Sequence, residues 1–372
     1  MAEFGTDTGT TVRRMHVGGA SPYDVLVGHR ILGEVAALLG STPQRVAVCY
    51  AAPLEHLAER VIAQLGAFDV LRLPFPDGEI AKTAAVAVDA WEQLGAAGFT
   101  RSDAVVTVGG GATTDMGGFI AATWLRGVRV VHVPTTLLAM VDAAVGGKTG
   151  MNTGAGKNLV GSFHEPAGVV CDLDVLVTLP EPELIAGLGE IVKCGFIADP
   201  RILELIEACP ADALEPRSAE LRELVERAIA VKIAVVVDDL LETGGSDGHP
   251  GREVLNYGHT MAHAIEKATG YEIRHGEAVA LGMVYVAELA RLTGHLDDAT
   301  AARHAEALAL VGLPTRFDKV PFETLHATMA VDKKTRGSQL RFIVLDAIGQ
   351  PRVLAGPDRA HLEAAYEHLA GR

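Results

Sequence analysis

The sequence predicts an α/β protein with an open, mainly parallel sheet domain over residues 1–180 and a helical domain over residues 181–372. Between residues 45 and 172, short runs rich in β-branched residues alternate with helical stretches, which is typical of βαβ units. From residue 181 onward, apolar residues recur at helical spacing. A chain of 372 residues is long enough for two such domains.

The first domain is predicted to begin with two strands within residues 11–27, where apolar and polar residues alternate around a Gly-Gly break. Two helices are predicted over residues 52–66 and near residues 81–97. The other predicted strands are RVAVC from residue 45, DVLRLP from 69, DAVVTV from 103, VRVVHVP from 128 and GVVCDL from 168.

In the second domain, GGSDGHPG at residues 244–251 predicts a loop because it is rich in turn-forming residues. LRFIVLDAIGQPRVL predicts a hairpin that turns at residues 349–351, and DRAHLEAAYEHLAG predicts a closing helix. The other predicted helical segments are ELIAGLGEIVKCGFI, PRILELIEAC, SAELRELVERAIAVKIAVVVDDLLE, GEAVALGMVYVAELARLTG and ATAARHAEALALVG.

The composition excludes several classes of protein. The net charge is −15, from 32 Lys plus Arg and 47 Asp plus Glu, which argues against a nucleic-acid partner because phosphates require a basic surface. The four cysteines form no CxxC pair, which suits a reducing cytoplasm and argues against disulfides or a cysteine metal site. The sequence has neither a membrane span nor a signal-peptide core, so we expect a cytoplasmic protein with a frayed N-terminal lead-in.

Residues 252–276, REVLNYGHTMAHAIEKATGYEIRHG, contain a candidate functional site that needs support from distant segments. If residues 252–265 form one helix, four polar side chains fall within an arc of roughly 60°. They are Arg252, Asn256, His259 and His263, and His275 follows after a short loop. The other side of this helix is apolar, so the helix is expected to be mostly buried, with its polar stripe facing a bound ligand or metal. The alternative is that each histidine is a hydrogen-bonded core residue, which is the commoner role of a lone buried histidine.

Two glycine-rich stretches are candidate anion sites. A predicted strand runs into Gly109, Gly110 and Gly111 and then a helix, an arrangement that binds phosphate through backbone N–H groups; a tight strand-to-helix turn is an equal alternative. Residues 134–162 hold Lys148 and Lys157 among glycines, with Asn152 and Asn158 nearby. This stretch indicates either close packing against an anionic ligand or a long flexible loop.

GLGEIVKCGF places Glu190 and Lys193 on one helix face. A surface ion pair is the commoner arrangement, but the flanking residues are apolar, and a buried carboxylate requires a metal or another cation. Glu190, His259 and His275 together offer three N and O donors, the number found in catalytic zinc sites, and these donors also suit cobalt. A basic run at residues 331–342 is either solvated or a second contact for phosphate or carboxylate.

Seven motifs in order along the chain resemble the 3-dehydroquinate synthases of the sugar-phosphate cyclase superfamily, over roughly residues 20–370. The motifs are GGGATTDMGGF, ATWLRGV, VPTTLLAMVDAAVGGKTGMNTGAGKNLVGSFH, GEIVKCGF, REVLNYGHTMAHAIE, RHGEAVALGM and DKKTRG. The resemblance implies a Rossmann-like N-terminal domain that binds NAD and an all-α C-terminal domain that binds zinc. It also implies an active site in the cleft between them and a homodimer.

The resemblance also implies roles for individual residues. Glu190, His259 and His275 would bind the metal, zinc or cobalt, and Arg126 would reach the substrate phosphate across the dimer interface. The other substrate and catalytic residues would be Asp142, Lys148, Asn158, Lys193, Lys232, Arg252, Asn256, His263 and Lys333 or Lys334. The NAD contacts would come from Glu79, Lys82, Gly110, Gly111, Thr114, Asp115, Thr135, Thr136, Lys157 and Thr178.

The family converts 3-deoxy-D-arabino-heptulosonate 7-phosphate into 3-dehydroquinate and phosphate in the shikimate pathway. The implied sequence is transient oxidation at C5 by NAD, loss of phosphate, return of the hydride and an intramolecular aldol closure. Arg252 and one lysine of the 333–334 pair are expected to hold the substrate carboxylate. The residues expected to steer phosphate and proton transfer are Lys148, Asn158, Lys193, Lys232 and His263.

Three alternative activities remain open or weigh less. An aminodehydroquinate synthase of the aminoshikimate pathway would keep nearly all of these residues. A valiolone-type cyclase acts on a sugar phosphate without a carboxylate. The residues that argue against it are Arg252, Asn256, His263 and Lys333. A metal-dependent polyol dehydrogenase of similar build would release NADH, but a polyol has no phosphate for Lys148 and Lys157 to bind. The sequence departs from the family pattern in two places. The loop at residues 243–251 is longer than expected, and the segment ATGYEIRHG differs from the sequence of many relatives.

Overall fold

The structure is a computed structural model that describes residues 11–239, 251–336 and 339–372, with the backbone alone for residues 331–336. The chain divides into two compact units, the first ending at Leu179 and the second beginning at Pro180. Most of the predicted N-terminal lead-in, and all of the predicted loop 244–251 except Gly251, lie outside the described residues.

The first unit contains a seven-stranded sheet and a separate two-stranded hairpin. The described strands of this unit are Arg13–Val17 (β1), Tyr23–Gly28 (β2), Arg45–Ala51 (β3), Asp69–Phe75 (β4), Ala104–Gly109 (β5), Arg129–Pro134 (β6), Lys148–Thr153 (β7), Gly156–Phe163 (β8) and Gly168–Asp172 (β9). The sheet order is β1-β2-β9-β6-β5-β3-β4, and β7 and β8 pair separately. Only β1 runs antiparallel to its neighbour within the seven, so the predicted open, mainly parallel sheet is confirmed.

The helices of this unit follow the strands in sequence. They are Glu34–Leu39 (α1), Glu55–Ile62 (α2), Ala84–Ala96 (α3) and Gly111–Thr123 (α4). The central strands β3 and β5 are continuous apolar runs whose residues are buried on both faces, as expected for a parallel sheet covered by helices. Leu94 of α3 and Met116 and Ile120 of α4 are fully buried in the core that packs on these strands. Because β5 and α4 pack in the same core, the position of the turn that joins them is fixed.

Residues 134–162 are ordered, which excludes the flexible loop considered as one alternative. A π-helical turn spans Ala139–Ala143, and β7 and β8 form an antiparallel hairpin. A Cβ atom on Gly161 would lie 2.3 Å from the carbonyl oxygen of Thr149, so this glycine is needed for the close approach of the two strands. Some glycines of this stretch are therefore needed for the packing of β7 against β8. The periodicity of the sequence did not predict this hairpin.

The second unit is helical, as predicted. Its described helices are Glu181–Ile197 (α5), Pro200–Ala208 (α6), Ala219–Asp238 (α7), His259–Ala268 (α8), His275–Leu292 (α9), Asp298–Leu310 (α10), Phe322–Arg336 (α11) and Arg359–Leu369 (α12). The predicted hairpin is confirmed as Arg341–Ala347 (β10) and Gln350–Ala355 (β11), with Gly349 at φ +77° in the turn. Helix α11 was not predicted.

Within the described residues, the helices lack the combination of length and apolar character that crossing a bilayer requires. The four cysteines are free thiols, and three of them are buried, which agrees with the prediction that they form no disulfide framework.

The predicted single helix over residues 252–265 is wrong. Residues Gly251–Asn256 form a 3-10 helix, and Gly258 has φ +79°, so α8 begins only at His259. The cause is a close approach between backbones, because a Cβ on Gly282 of α9 would lie 2.0 Å from the carbonyl oxygen of Gly258. Arg252 and Asn256 therefore do not share a helical face with the two histidines.

We predict that Gly258→Ala destabilises the second unit much more than Gly270→Ala. Both residues have positive φ, which costs a non-glycine residue about 1–2 kcal/mol. A Cβ on Gly258 would also lie 2.9 Å from the amide nitrogen of Met283, whereas nothing lies within 4 Å of a Cβ on Gly270. Urea unfolding of the two variants measures the difference, and equal losses of unfolding free energy would contradict the role of close packing.

Candidate functional site

Three helices of the second unit bring Glu190, His259 and His275 together. Glu190 lies within α5, His259 is the first residue of α8, and His275 is the first residue of α9. The Oε1 atom of Glu190 is 3.4 Å from Nε2 of His259 and 3.6 Å from Nε2 of His275. One donor atom from each residue lies within 4.8 Å of the other two, so the side chains predicted as metal ligands form one cluster.

Glycines beside the three residues allow this convergence. A Cβ on Gly189 would lie 2.5 Å from the carbonyl oxygen of Gly276, so α5 and α9 touch backbone to backbone next to Glu190 and His275. Gly258, directly before His259, makes the equivalent contact with Gly282 of α9. Larger residues would separate the helices and, with them, the three donor atoms.

Hydrogen bonds orient both imidazoles with Nε2 toward Glu190. Nδ1 of His259 lies 3.1 Å from the backbone oxygen of Tyr257, which can only accept, so Nδ1 carries the hydrogen. Nδ1 of His275 lies 3.3 Å from Oε2 of Glu266. Partners of this kind fix the tautomer and orientation of metal-binding histidines. Each Nε2 therefore faces the centre of the cluster, where it can bind a metal once it carries no proton.

The spacing of the donors fits a small divalent ion. Donors at about 2.1 Å from a tetrahedral ion are roughly 3.4 Å apart, close to the two separations from Oε1 of Glu190. That oxygen is buried and has no hydrogen-bond partner among the described residues. A buried carboxylate oxygen that faces two imidazole nitrogens requires positive charge between them. The cluster therefore fits a metal with three protein ligands, the number that leaves a coordination position for a substrate or water.

The pKa shifts of Glu190 and His275 reflect the same attraction for positive charge, whereas the pKa shift of His259 favours its neutral form. Burial would raise the pKa of the Glu190 carboxyl, but the Lys193 ammonium and the two imidazoles outweigh it and hold that pKa well below its ordinary value. Burial and the Lys193 ammonium lower the pKa of His259 well below its ordinary value. Burial also opposes a charged His275, but the nearby carboxylates of Glu190 and Glu266 raise its pKa to about 10.

Lys193 is the predicted catalytic residue closest to this cluster. Its side chain is only 2% exposed, forms an ion pair with Glu190, and donates from Nζ to the backbone oxygen of Leu255 at 2.7 Å. The alternative of a surface ion pair is therefore wrong for this pair. The contact also ties α5 to the 3-10 turn that contains Arg252 and Asn256.

The remaining predicted residues of the second unit occupy different settings. Arg252 is buried and its backbone N–H donates to Oδ2 of Asp239 at 3.2 Å, while Lys232 is buried on α7. The His263 ring centroid lies 5.4 Å from that of His259 and 6.3 Å from that of His275, so His263 borders the cluster. Asn256 is half-buried on the 3-10 turn. Lys333 and Lys334 lie on α11, and their side chains are outside the described residues.

Glu266 is a residue of this cluster that the sequence reasoning missed. Its side chain is buried, and its carboxylate accepts from His275. A usable signal was present, because Glu266 follows His259 by seven residues and His263 by three, which places all three on one face of α8.

In the first unit, the predicted phosphate loop has the expected form. Strand β5 ends at Gly109, and α4 begins at Gly111, with Gly110 extended between them. The first backbone N–H groups of a helix lack intrahelical partners and can bind an anion. Thr135, after β6, donates from its backbone N–H to the Gly109 oxygen at 2.9 Å, and a Cβ on Gly110 would lie 3.2 Å from Thr136. The two neighbouring strand ends therefore meet at this loop.

A buried lysine joins several predicted NAD contacts. Nζ of Lys82 lies 2.6 Å from Oδ2 of Asp115 and 3.7 Å from Oε1 of Glu79, and it also donates to the side chain of Asn158. Asn152 links this group, since its amide donates to Glu79 at 2.7 Å and its oxygen accepts from the Asn158 backbone at 2.9 Å. The cluster connects the start of α4 with the β7–β8 hairpin.

Other predicted residues of the first unit lie around these features. Arg126 is exposed in a turn where it and Leu125 have φ values of +68° and +48°. Asp142 lies in the π-helical turn close enough to Asp115 for its charge to raise the pKa of that carboxyl. Lys148 is exposed and Lys157 is half-buried. The Thr114 hydroxyl donates to the Gly111 oxygen, and the Thr178 hydroxyl donates to the Val175 oxygen.

Comparison with known proteins agrees with this arrangement. A family model described as 3-dehydroquinate synthase N-terminal matches residues 72–186, and one described as 3-dehydroquinate synthase C-terminal matches residues 187–335. The chain is 58% identical over 364 residues to a 3-dehydroquinate synthase of Thermobifida fusca, an alignment that covers 97% of both chains.

The chain belongs to the 3-dehydroquinate synthase family. Two solved structures of related cyclases have the same fold. One is 2-deoxy-scyllo-inosose synthase complexed with carbaglucose-6-phosphate, NAD+ and Co2+, with a TM-score of 0.85, 26% identity, and coverage of 96% of this chain and 99% of that one. The other is 2-epi-5-epi-valiolone synthase from Streptomyces hygroscopicus with NAD+ and Zn2+, with a TM-score of 0.85, 27% identity, and coverage of 97% and 99%.

We predict that Glu190→Gln removes tight binding of a divalent metal. A neutral amide in place of the buried carboxylate loses the charge that offsets the ion, and loss of one of three ligands weakens a zinc site strongly. Metal content after dialysis against a weak chelator measures the effect. Glu226→Gln is the control, because Glu226 is also buried but pairs with Arg222 at 2.8 Å. Full metal content in Glu190→Gln would remove Glu190 from the ligand set.

A pH dependence is predicted at Asp115. Burial raises the pKa of its carboxyl to about 6, although Lys82 lowers it. Because this folded-state pKa exceeds the ordinary value of 3.8, the contribution of Asp115 to stability is fully present below pH 3.8 and is lost as the pH rises through about 6. The unfolding free energy of the wild type minus that of Asp115→Asn should therefore fall between about pH 4 and 6.

The control for Asp115 is Asp142→Asn, which removes a negative charge that raises the pKa of Asp115. In this background the same fall should occur at lower pH. A difference curve that rises with pH in the wild-type background would contradict the assignment.

Proposed function

We propose that this protein is a 3-dehydroquinate synthase, a carbon–oxygen lyase that converts 3-deoxy-D-arabino-heptulosonate 7-phosphate into 3-dehydroquinate and phosphate. The observation that carries the proposal is the convergence of Glu190, His259 and His275, next to buried Lys193, in a chain that matches this family along nearly its whole length. We place the reaction in the shikimate pathway and the protein in the cytoplasm.

The proposed cofactors are NAD and a divalent metal, zinc or cobalt. The two related cyclases hold NAD+ together with Co2+ or Zn2+. When bound, NAD accepts and returns a hydride at C5 of the substrate, and the metal polarises the substrate oxygens. Glu190, His259 and His275 would hold the metal, and residues of the first unit would hold the dinucleotide.

The first unit is proposed to bind NAD through its glycine loop and the Lys82 cluster. Backbone N–H groups at Gly110 and Gly111 point from a helix N-terminus, which suits the pyrophosphate. The carboxylates of Glu79 and Asp115 flank Lys82, and such acids suit ribose hydroxyl groups. The further proposed dinucleotide contacts are Thr114, Thr135, Thr136, Lys157 and Thr178.

The second unit is proposed to orient the substrate and move its protons. The Lys193 ammonium is held between Glu190 and the Leu255 oxygen, so it can bind a substrate oxygen and stabilise negative charge there. The Arg252 guanidinium is suited to the substrate carboxylate, which it can bind through two parallel hydrogen bonds. His263 borders the metal cluster and is exposed, so its imidazole is placed to give a proton to the substrate or to take one from it. The remaining proposed substrate contacts are Asp142, Lys148, Asn158, Lys232, Asn256 and Lys333.

We also propose that the protein is a homodimer in which Arg126 contacts the phosphate bound by the other subunit. The strained turn that carries Arg126 supports this role, since positive φ values at Leu125 and Arg126 cost free energy and are kept where a residue must point in a special direction. The proposed partner is a small-molecule sugar phosphate, with neither nucleic acid nor membrane involved.

The direct test incubates the protein with NAD, zinc or cobalt, and the heptulosonate phosphate. Phosphate and 3-dehydroquinate should form in equal amounts with no net accumulation of NADH, because the hydride that is removed is later returned. Removal of the metal with a chelator should stop product formation, and added cobalt should restore it.

Accumulation of NADH on a polyol would instead identify a dehydrogenase. A higher kcat/KM for the amino analogue of the substrate would identify an aminodehydroquinate synthase.

A further inference from the structure

A buried tyrosine and a buried histidine form a polar pair in the second unit that the proposed reaction does not use. The hydroxyl of Tyr257 lies 2.8 Å from Nε2 of His304 on α10, and both side chains are fully buried. Nδ1 of His304 lies 2.8 Å from the backbone oxygen of Thr300. Buried polar groups of this kind are costly unless each is paired, so the pair is a fixed feature of the fold.

The hydrogens of this pair can be placed without ambiguity. A backbone oxygen only accepts, so Nδ1 of His304 carries the hydrogen and donates to Thr300. Burial lowers the pKa of His304 to about 4, which leaves the ring neutral and Nε2 as an acceptor. The Tyr257 hydroxyl therefore donates to His304, and this single arrangement fixes the direction of the phenol.

Tyr257 also contacts a proposed metal ligand through its backbone. Its carbonyl oxygen accepts the hydrogen bond from Nδ1 of His259 at 3.1 Å. Tyr257 and Gly258 form the short junction between the 3-10 turn and α8, and Gly258 has φ +79°. The direction of the Tyr257 carbonyl depends on this junction. The hydrogen bond between the Tyr257 hydroxyl and His304 holds the Tyr257 side chain in place beside the junction.

His304 completes the link to the helix that carries the carboxylate ligand. Its ring stacks on Phe196 of α5 with centroids 3.6 Å apart and planes 10° apart. Phe196 lies on the same helix as Glu190. One buried side chain of α10 is therefore in contact with the residue that orients His259 and with the helix that positions Glu190.

We propose that Tyr257 and His304 are positioning residues that hold the imidazole of His259 in the orientation needed for metal binding. The inference rests on the proposed metal site and adds to it two residues that are not metal ligands. Tyr257 acts through its carbonyl on His259, and His304 acts through the Tyr257 hydroxyl. Mutation of the residues that hydrogen-bond to metal-binding histidines commonly lowers metal affinity by about 10-fold to 100-fold.

The test uses cobalt bound to the full-length protein. The variants are Tyr257→Phe, which removes only the hydroxyl, His304→Leu, and the two combined. The matched control is Tyr366→Phe. Tyr366 lies on a different helix, α12, its side chain is also buried, and its hydroxyl donates to the backbone oxygen of Val320 at 2.6 Å. Cobalt affinity, the visible absorption spectrum of bound cobalt, and the melting temperature are measured for each.

Tyr257→Phe is expected to weaken cobalt binding by about 10-fold and to alter the visible spectrum. The double variant should lose less than the product of the two single losses, because both substitutions break the same hydrogen bond. Tyr366→Phe should lower the melting temperature while affinity and spectrum stay as in the wild type.

Wild-type affinity and spectrum in Tyr257→Phe and His304→Leu would overturn the positioning role and leave the metal site intact. An equal loss of cobalt in Tyr366→Phe would also overturn it, because general destabilisation would then explain the effect. Failure of the wild type itself to bind cobalt would instead remove the proposed metal site, and this inference with it.

Discussion

The central constraint on this structure is the buried carboxylate of Glu190, which is 3% exposed and has one oxygen opposite two imidazole nitrogens. Moving a carboxylate from water into a protein interior costs several kcal/mol, on the order of 20 kcal/mol in the idealised limit, unless positive charge offsets it. Lys193 neutralises one of the two oxygens. The other, Oε1, has no hydrogen-bond partner among the described residues, so the site attracts a cation between Glu190, His259 and His275.

Backbone contacts between helices, rather than long side chains, create this site. Gly189 and Gly276 bring α5 against α9, and Gly258 and Gly282 bring the start of α8 against α9. Each of the three ligands is adjacent in sequence to one of these glycines. The outer hydrogen bonds then set the imidazole orientations, so packing supplies the distances and the Tyr257 oxygen and the Glu266 carboxylate supply the directions.

Much of this was predictable from residue patterns, and the exceptions have physical reasons. Helical spacing identified α5 and α9, and the apolar neighbours of Glu190 and Lys193 predicted their burial. Periodicity could not reveal the break at Gly258, because positive φ and contact with α9 depend on tertiary packing. Glu266 was missed although its spacing places it on the histidine face. The β7–β8 hairpin was not predicted because its glycines, which allow the two strands to pack closely, interrupt the alternating pattern typical of strands.

X-ray absorption spectroscopy of the zinc-loaded protein tests the central claim most directly, because it reports the ligands around the ion. The account predicts a first shell of N and O atoms at about 2.0–2.2 Å, with the multiple-scattering signal of two imidazoles and none from sulfur. Loss of one imidazole signal in His275→Ala should follow. A shell with sulfur, or with other than two histidines, would contradict convergence of Glu190, His259 and His275 on one metal.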